Sequence, residues 1–306
     1  MSTPSVSICI PTYNYARYLP DALDSACRQS FTDIEIVVVD NCSDDGTQEL
    51  VSEYARRESR IVYHRNDTNI GMTGNFNLAM NLAHGKYIKF LCADDILKPD
   101  CVRSMVEVME GSPEVSLVGC RRSIFNDDKS RTGTLGYAGK PFSRDGRRVI
   151  RECYFNGNLI GEPTAVLFRK ADIVSGFDES YHQLIDLDLW FRLLESGDFV
   201  FIDDVLCGVR EHGSSGSANN LRAGRVTADK ARLFEQYGRR AYLDGSVAER
   251  ILWDARMASS VTRELSAGAV ESARIAKKAL YFPQFSSSVL MPLVSIVTSL
   301  RRRAGL

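Results

Sequence analysis

Three observations predict an α/β protein in which a mostly parallel sheet is flanked by helices and followed by an α-helical C-terminal extension. Strand-like and helix-like patterns alternate over the first 120 residues, the order that right-handed βαβ crossovers produce. One strand-like run, "DIEIVVVD" (33–40), is a continuous β-branched stretch, as strands buried on both faces of a parallel sheet are. From residue 221 to 281 strand formers become scarce, and Ala- and Arg-rich helical spacing replaces them.

The elements follow in order. "VSICI" is a β-rich run expected to end at Pro11, and "LPDALDSACRQS" is a helix with Pro20 near its first turn, where a missing N–H costs little. After "DIEIVVVD" come an amphipathic helix, "TQELVSEYARRES", and a third strand, "RIVYHRN". "TGNFNLAMNLAHG" reads as a helix closed by Gly85 at a C′-type position. "KYIKFLC" is a fourth strand, "KPDCVRSMVEVMEG" a helix and "EVSLVGC" a fifth strand. Residues 126–160 read as loop-rich, with charged, turn-forming residues from Asn126 onward. "PTAVLFRK" is then a strand, "DLDLWFRLLESG" a helix, and "FVFIDD" and "LCGVREH" two short strands. The Ser/Gly/Asn stretch at 213–220 divides an α/β domain, 1–217, from the helical extension, 218–306.

Composition excludes several classes. The 306 residues are 44% hydrophobic and 25% charged, ordinary for a globular protein. Thirty-eight basic residues oppose thirty-nine acidic ones, spread along the chain, so nothing points to nucleic acid. The eight cysteines form no Cys-x-x-Cys pair, and several sit in apolar runs, which reads as reduced core thiols in a cytosolic protein. The N-terminus, "MSTPSVSICIPTYN", has neither the basic nor the long apolar region of a signal peptide.

In an open parallel sheet ligands bind beyond the carboxyl ends of the strands. Four polar segments stand there: Pro11 to Asn14, Asp40 to Gly46, Asn66 to Gly71, and Ala93-Asp94-Asp95. Each alone is an ordinary turn; four along one sheet edge make a site. Paired carboxylates at a strand end suit Mg²⁺ or Mn²⁺, which take one or two protein carboxylates and fill the remaining positions with water and substrate phosphates. Asp94 and Asp95 therefore suggest a metal–diphosphate site, with Asp40 able to accept from a nucleobase N–H and Tyr13 able to pack on the base. The Walker and Gly-x-Gly-x-x-Gly phosphate loops are both missing.

The segments "SICIPTYNYARYLPDALDSACRQSF…IEIVVVDNCSDDGT", "NIGMTGNFNLAMNLAHGKYIKFLCADDIL" and "IDLDLWFRLLESG" together resemble family 2 glycosyltransferases, over about the first two-thirds of the chain. The resemblance implies a Rossmann-like, A-type nucleotide-sugar-binding fold and an inverting, metal-dependent transfer from a nucleoside diphosphate sugar. It places Pro11, Tyr13 and Asn14 in the nucleoside pocket, Asp40 on the base and Asp67 beside it. It brings Gly71 and Asn75 or Asn77 close to the donor, and assigns Asp94 to the ribose and Asp95 to the metal. Asp186 takes the position of the catalytic base, and Arg210-Glu211-His212 resembles a motif whose His can approach the metal or diphosphate. Two positions depart from the pattern: Cys92 stands where a further Asp is common, and Ile185 where Glu is common. They are the support for an alternative, a non-catalytic glycan-binding or scaffolding member of the same fold.

Roles left open by residue type remain so. Asp186 and Asp188 also suit a helix N-terminus by charge, Trp190 suits either a core or a stacking surface, and Glu162-Pro163 is a candidate acceptor contact. UDP or dTDP is the favoured carrier, since uracil and thymine both offer an N3–H to Asp40. The acceptor class is a saccharide, free or lipid-linked, in cell-surface glycan synthesis such as polysaccharide or lipopolysaccharide. In the tail, Val289, Leu293, Ile296, Val297 and Leu300 share one helical face and Arg301-Arg302-Arg303 follow. That pattern fits a helix on the cytoplasmic face of an anionic inner membrane, or one docked on the protein or in a homodimer interface.

Overall fold

A computed structural model describes residues 3–281 apart from 138, 214, 215 and 270. The tail singled out above, 282–303, lies outside the described residues. The chain forms two compact units. The first comprises Met1–Val149, Leu159–Glu179 and Leu189–His212, and the second Ile150–Asn158, Ser180–Asp188 and Gly213–Leu306.

The first unit opens with β1 (Val6–Thr12), α1 (Leu19–Cys27), β2 (Ile34–Asp40), α2 (Thr47–Arg57), β3 (Ile61–Arg65) and α3 (Gly71–Leu82). Next come β4 (Tyr87–Phe90), β5 (Ile96–Leu97), α4 (Cys101–Gly111), β6 (Val115–Phe125), β7 (Arg131–Leu135) and β8 (Phe142–Arg144). Helix α5 (Gly146–Asn156), β9 (Val166–Arg169), α6 (Ile185–Leu194) and β10 (Asp198–Arg210) complete the α/β part. One sheet holds all these strands in the order β3-β2-β1-β4-β9-β6-β10-β5, with β7 paired to β6 and β8 to β10. Strands β1, β2, β3, β4, β6 and β10 run in one direction; β5, β7, β8 and β9 run against them. The predicted mostly parallel, helix-flanked sheet is the observed one.

Four local expectations are corrected. β1 does not end at Pro11 but runs to Thr12. The Cys9 carbonyl takes the last bond from the β4 side, at Leu91 N–H, so the proline, two residues on, faces a side where the ladder has stopped and its missing N–H costs nothing. Gly85 is not a helix cap, because α3 stops at Leu82. A Cβ at Gly85 would lie 2.5 Å from Ser7 N and 2.7 Å from the Val6 carbonyl carbon, so the position requires glycine for close backbone approach. The stretch after Asn126 carries β7, β8 and α5 rather than loop alone. Finally, "FVFIDD" and "LCGVREH" are one strand, β10, with a register shift between Ile202 and Val205 where it bulges.

The second unit contains the helices α7 (Gly216–Arg222), α8 (Arg225–Tyr237), α9 (Val247–Ser266) and α10 (Ser272–Ala276), matching the helical spacing of 221–281. α9 starts at a capping box between Ser246 and Glu249. Its Trp253 stacks on Tyr154 at 4.2 Å and donates to the Ala279 carbonyl at 2.8 Å, which closes the helices over an aromatic centre. No helix among the described residues is long and apolar enough to cross a membrane.

Candidate functional site

All four polar segments lie at the carboxyl ends of β1 to β4, as the alternation of strands and helices requires. An asparagine network ties them together. Asn66 donates to Asn41 (3.0 Å) and Asn75 (3.1 Å), Asn41 donates to Asn69 (2.9 Å), and Asn75 donates to the Val39 carbonyl (2.9 Å). The Asn75 amide is therefore spent on holding β2 to the start of α3, and the residue is 3% exposed. Asn77, its alternative near the donor, exchanges hydrogen bonds with the backbone of Phe177. Gly71 opens α3 with φ +81°, a conformation that only glycine adopts readily; Asp67 is exposed in the preceding loop.

At the end of β1 the backbone of Asn14 is left-handed, φ 55°. Its N–H donates to Ser43 Oγ (2.9 Å), while its side chain accepts from Asp44 N–H (3.0 Å). Tyr13 leaves a large part of its ring to solvent, 44% exposed, and Pro11 is buried in β1. Asp40 is fully buried: Oδ1 accepts from the N–H (2.9 Å) and hydroxyl (2.5 Å) of Ser43, Oδ2 from Tyr63 (2.9 Å), and Arg65 Nε stands 3.5 Å away. A carboxylate offers about four acceptor positions, so these bonds leave little of it for a ligand. Cys42, with φ 66°, adds backbone strain of the kind that collects at binding loops.

The two aspartates after β4 differ sharply. His212 Nε2 stands 2.9 Å from Asp94 Oδ2, and the Asp94 carbonyl accepts from Arg210 Nε (2.9 Å). Asp95 is 3% exposed; Oδ1 accepts from Arg210 N–H (2.9 Å) and Oδ2 from the Thr164 hydroxyl (2.5 Å). Burial, and then the charge on Asp94, push the Asp95 carboxyl well above the usual carboxylate range. His212 itself is enclosed by Tyr15 and Tyr18, with ring centroids at 5.9 and 4.8 Å. Burial and then Asp94 also raise the Tyr15 phenol.

Two supporting residues escaped sequence reading. Thr164 links Asp95 to Cys92, whose N–H it accepts at 3.0 Å. Lys89, fully buried inside β4, donates to the carbonyls of Thr164 and Val166 and so fixes that loop. A lysine in the middle of an apolar strand was the available signal. The Cys92 thiol is pushed well up by burial, then by Asp95 and Asp94.

Do these groups fit a divalent cation? Among the described residues no cluster of three His, Cys, Asp or Glu side chains could hold a metal by itself. Two adjacent carboxylates, one of them resisting ionisation in its buried place, suit an ion that brings its own charge and takes its other ligands from water and phosphate. Asp95 and His212 are two such donors, and each is engaged with protein partners in this structure.

In the second unit, Asp186 stands in the first turn of α6, where the helix dipole favours its charge. Oδ1 accepts from Leu187 N–H (2.7 Å) and Oδ2 from Asn158 Nδ2 (3.1 Å). Asp188 is buried against α8, accepting from Gln236 (2.9 Å) and Tyr237 (3.0 Å). The loop before Asp186 is held by Asp229, whose Oδ2 accepts from the N–H groups of His182 (2.9 Å), Gln183 (2.5 Å) and Leu184 (2.9 Å). In the first unit Trp190 is a core residue, fully buried and bonded to the Gly161 carbonyl at 3.1 Å. Glu162 is ion-paired with the buried Arg122.

The family model for glycosyl transferase family 2 matches residues 7–174. The chain belongs to that family. It is 30% identical over 232 residues to an uncharacterised protein of Mycobacterium tuberculosis, covering 72% of each chain. It is also 29% identical over 221 residues to the chondroitin synthase of Escherichia coli, covering 71% of this chain but 30% of that one. Among solved structures it is similar to S. aureus TarS 1–349 in complex with UDP-GlcNAc (TM-score 0.60, 15% identity, 97% of this chain and 92% of that one). It is similar as well to the mannosyltransferase PcManGT of Pyrobaculum calidifontis in complex with GDP-Man and Mn²⁺ (TM-score 0.58, 19% identity, 98% and 87%). At such identities the structural likeness speaks for the fold.

Proposed function

We propose that this glycosyltransferase moves a sugar, with inversion, from a nucleoside diphosphate carrier to a saccharide hydroxyl in the synthesis of a cell-surface glycan. The observation that carries the reading is the Asp94–Asp95 pair: one carboxylate on His212, the other buried and braced by Thr164 and Arg210. In this reading Tyr13, Pro11 and Asn14 receive the nucleoside, Asp40 offers its remaining acceptor position to a uracil or thymine N3–H, and Asp67 and Gly71 border the pocket. Asp94 holds the ribose, while Asp95 and His212 hold Mg²⁺ or Mn²⁺. When bound, the ion supplies Lewis-acid stabilisation of the departing diphosphate.

The chain's own residues do the remainder. Asp186 takes the proton from the acceptor hydroxyl as that oxygen attacks the anomeric carbon. Asn158 holds its Oδ2 and so orients the carboxylate. Direct displacement from the face opposite the diphosphate needs a single base and inverts the anomeric carbon. PcManGT was solved with GDP-Man and Mn²⁺, and TarS with UDP-GlcNAc, which supports a nucleotide-sugar donor and a divalent ion. Residues 1–217 are the catalytic domain in this reading, and 218–306 the helical extension.

The test is a panel of nucleotide sugars assayed for Mn²⁺-dependent hydrolysis and transfer, in the parent protein and two variants. Asp95→Asn should abolish metal-dependent turnover and donor binding. Asp186→Asn should lose about 10²- to 10⁴-fold in turnover while retaining the donor. Near-normal turnover in Asp186→Asn removes the base assignment, and activity indifferent to chelator removes the ion.

A further inference from the structure

Along the side chain of Arg210 the first unit contains a cavity of about 480 Å³. It opens between α1, the segment around β5 and the turn joining β6 to β7. Its charged lining is one-sided: Arg28, Lys98, Lys129, Arg131 and Arg210 against Asp21. Asp21 serves both Lys129 (3.0 Å) and Arg210 (2.8 Å), and Arg28 is met from outside the cavity by Asp24 (3.2 Å). Five cations thus face two carboxylates, an excess of three positive charges on a chain whose net charge is −1. Lys98 makes no ion pair among the described residues, and Arg131 bonds only neutral partners, the Gly133 carbonyl and the Thr134 hydroxyl. The turn's own aspartates are engaged elsewhere, Asp127 with Arg17 (3.5 Å) and Asp128 with Ser130 N–H (2.8 Å).

The rest of the wall is mainly apolar, with Ser25 and Ser123 its other polar residues. Ile96, Leu97 and Phe125 line it, and a low-dielectric wall strengthens the field of the cations beside it. The Arg210 guanidinium covers the Phe125 ring at 4.6 Å, which occupies the face on which a base would stack. A bare phosphate would leave the apolar wall unused, and a nucleotide would find no platform.

We propose that this cavity binds an amphiphilic phosphate, a phosphate head held by Lys98, Arg131 and their neighbours with a short apolar portion against Ile96 and Leu97. Arg210 forms the wall shared with the proposed metal site: its side chain reaches Asp21 in the cavity while its N–H holds Asp95. The proposal is independent of sugar transfer, and its test reads binding alone.

The probes are decyl phosphate below its micellar concentration, inorganic phosphate and decyl maltoside, titrated calorimetrically into the full chain at physiological salt. Saturable binding of decyl phosphate is expected, with an affinity at least about ten-fold above either other probe. The double variant Lys98→Glu/Arg131→Glu should weaken it by about ten-fold or more, and Lys98→Gln/Arg131→Gln by less. Both residues are exposed, and unchanged circular dichroism checks that the variants fold. No saturable binding, equal affinity for inorganic phosphate or decyl maltoside, or indifference to both variants would each overturn the proposal. Flotation with phosphatidylglycerol vesicles separates the sources. Co-flotation lost in the charge-reversed variant assigns the phosphate to a membrane lipid, whereas decyl phosphate binding without co-flotation assigns it to a dispersed molecule.

Discussion

Asp229 lies 43 residues after Asp186 in the chain, yet replacing it with alanine should loosen the loop that carries the proposed base. Its carboxylate, 1% exposed, gathers three consecutive backbone N–H groups on one oxygen. Hydrogen bonds to a charged group contribute about 1.5–3 kcal/mol each. Because the three share an acceptor, their sum overstates the loss, and about 3–5 kcal/mol is the figure for removing one partner of a buried charged set. Hydrogen exchange by mass spectrometry on a peptide spanning 180–188 reads this directly. At 1.4 kcal/mol per factor of ten, protection of the His182, Gln183 and Leu184 amides should fall by about two to three and a half orders of magnitude. Asp229→Asn keeps an oxygen in place without its charge and should lose about one order. Turnover should fall with the amides while the KM for donor holds, since Leu184 stands two residues before Asp186. Amides of the alanine variant exchanging at the parent rate would show that Asp229 does not hold this loop.

Three further outcomes are expected. Thr164→Val keeps the shape but removes the hydroxyl from Asp95, and should raise the half-saturating Mn²⁺ about 10- to 100-fold in a donor-hydrolysis titration. Gly85→Ala would drive a Cβ against the β1 backbone; a loss of about 1–3 kcal/mol in urea unfolding is expected, and an unchanged midpoint would contradict the close-approach reading. Lys230, drawn in beside Ser260, has its pKa lowered to about 7 by burial and then by Arg256. The unfolded chain therefore holds the extra proton between about pH 7 and the ordinary lysine value of 10.5. Stability should rise with pH across that window, a slope that thermal melts of Lys230→Met should flatten.

Much of this protein was legible in its sequence because the signals are local. β-branched runs alternating with amphipathic helices define a parallel sheet, and that topology alone brings four polar segments to one edge. The Asp94-Asp95 pair could be read from residue type and order, and the segment around Asp186 from its resemblance to the family. Local pattern was also where reading failed: Gly85 resembles a helix cap until β1 is placed beside it, and one bulged strand looks like two. Pairings between residues far apart in the chain arise only in the packed fold. Asp40 is already held by Ser43 and Tyr63, Asn75 braces strands, and Asp95 differs from its neighbour because Thr164 and Arg210, 69 and 115 residues away, close over it. Burial, and the partners that compensate it, are properties of the packed chain; two adjacent aspartates are alike in sequence and become unlike only when one of them is enclosed.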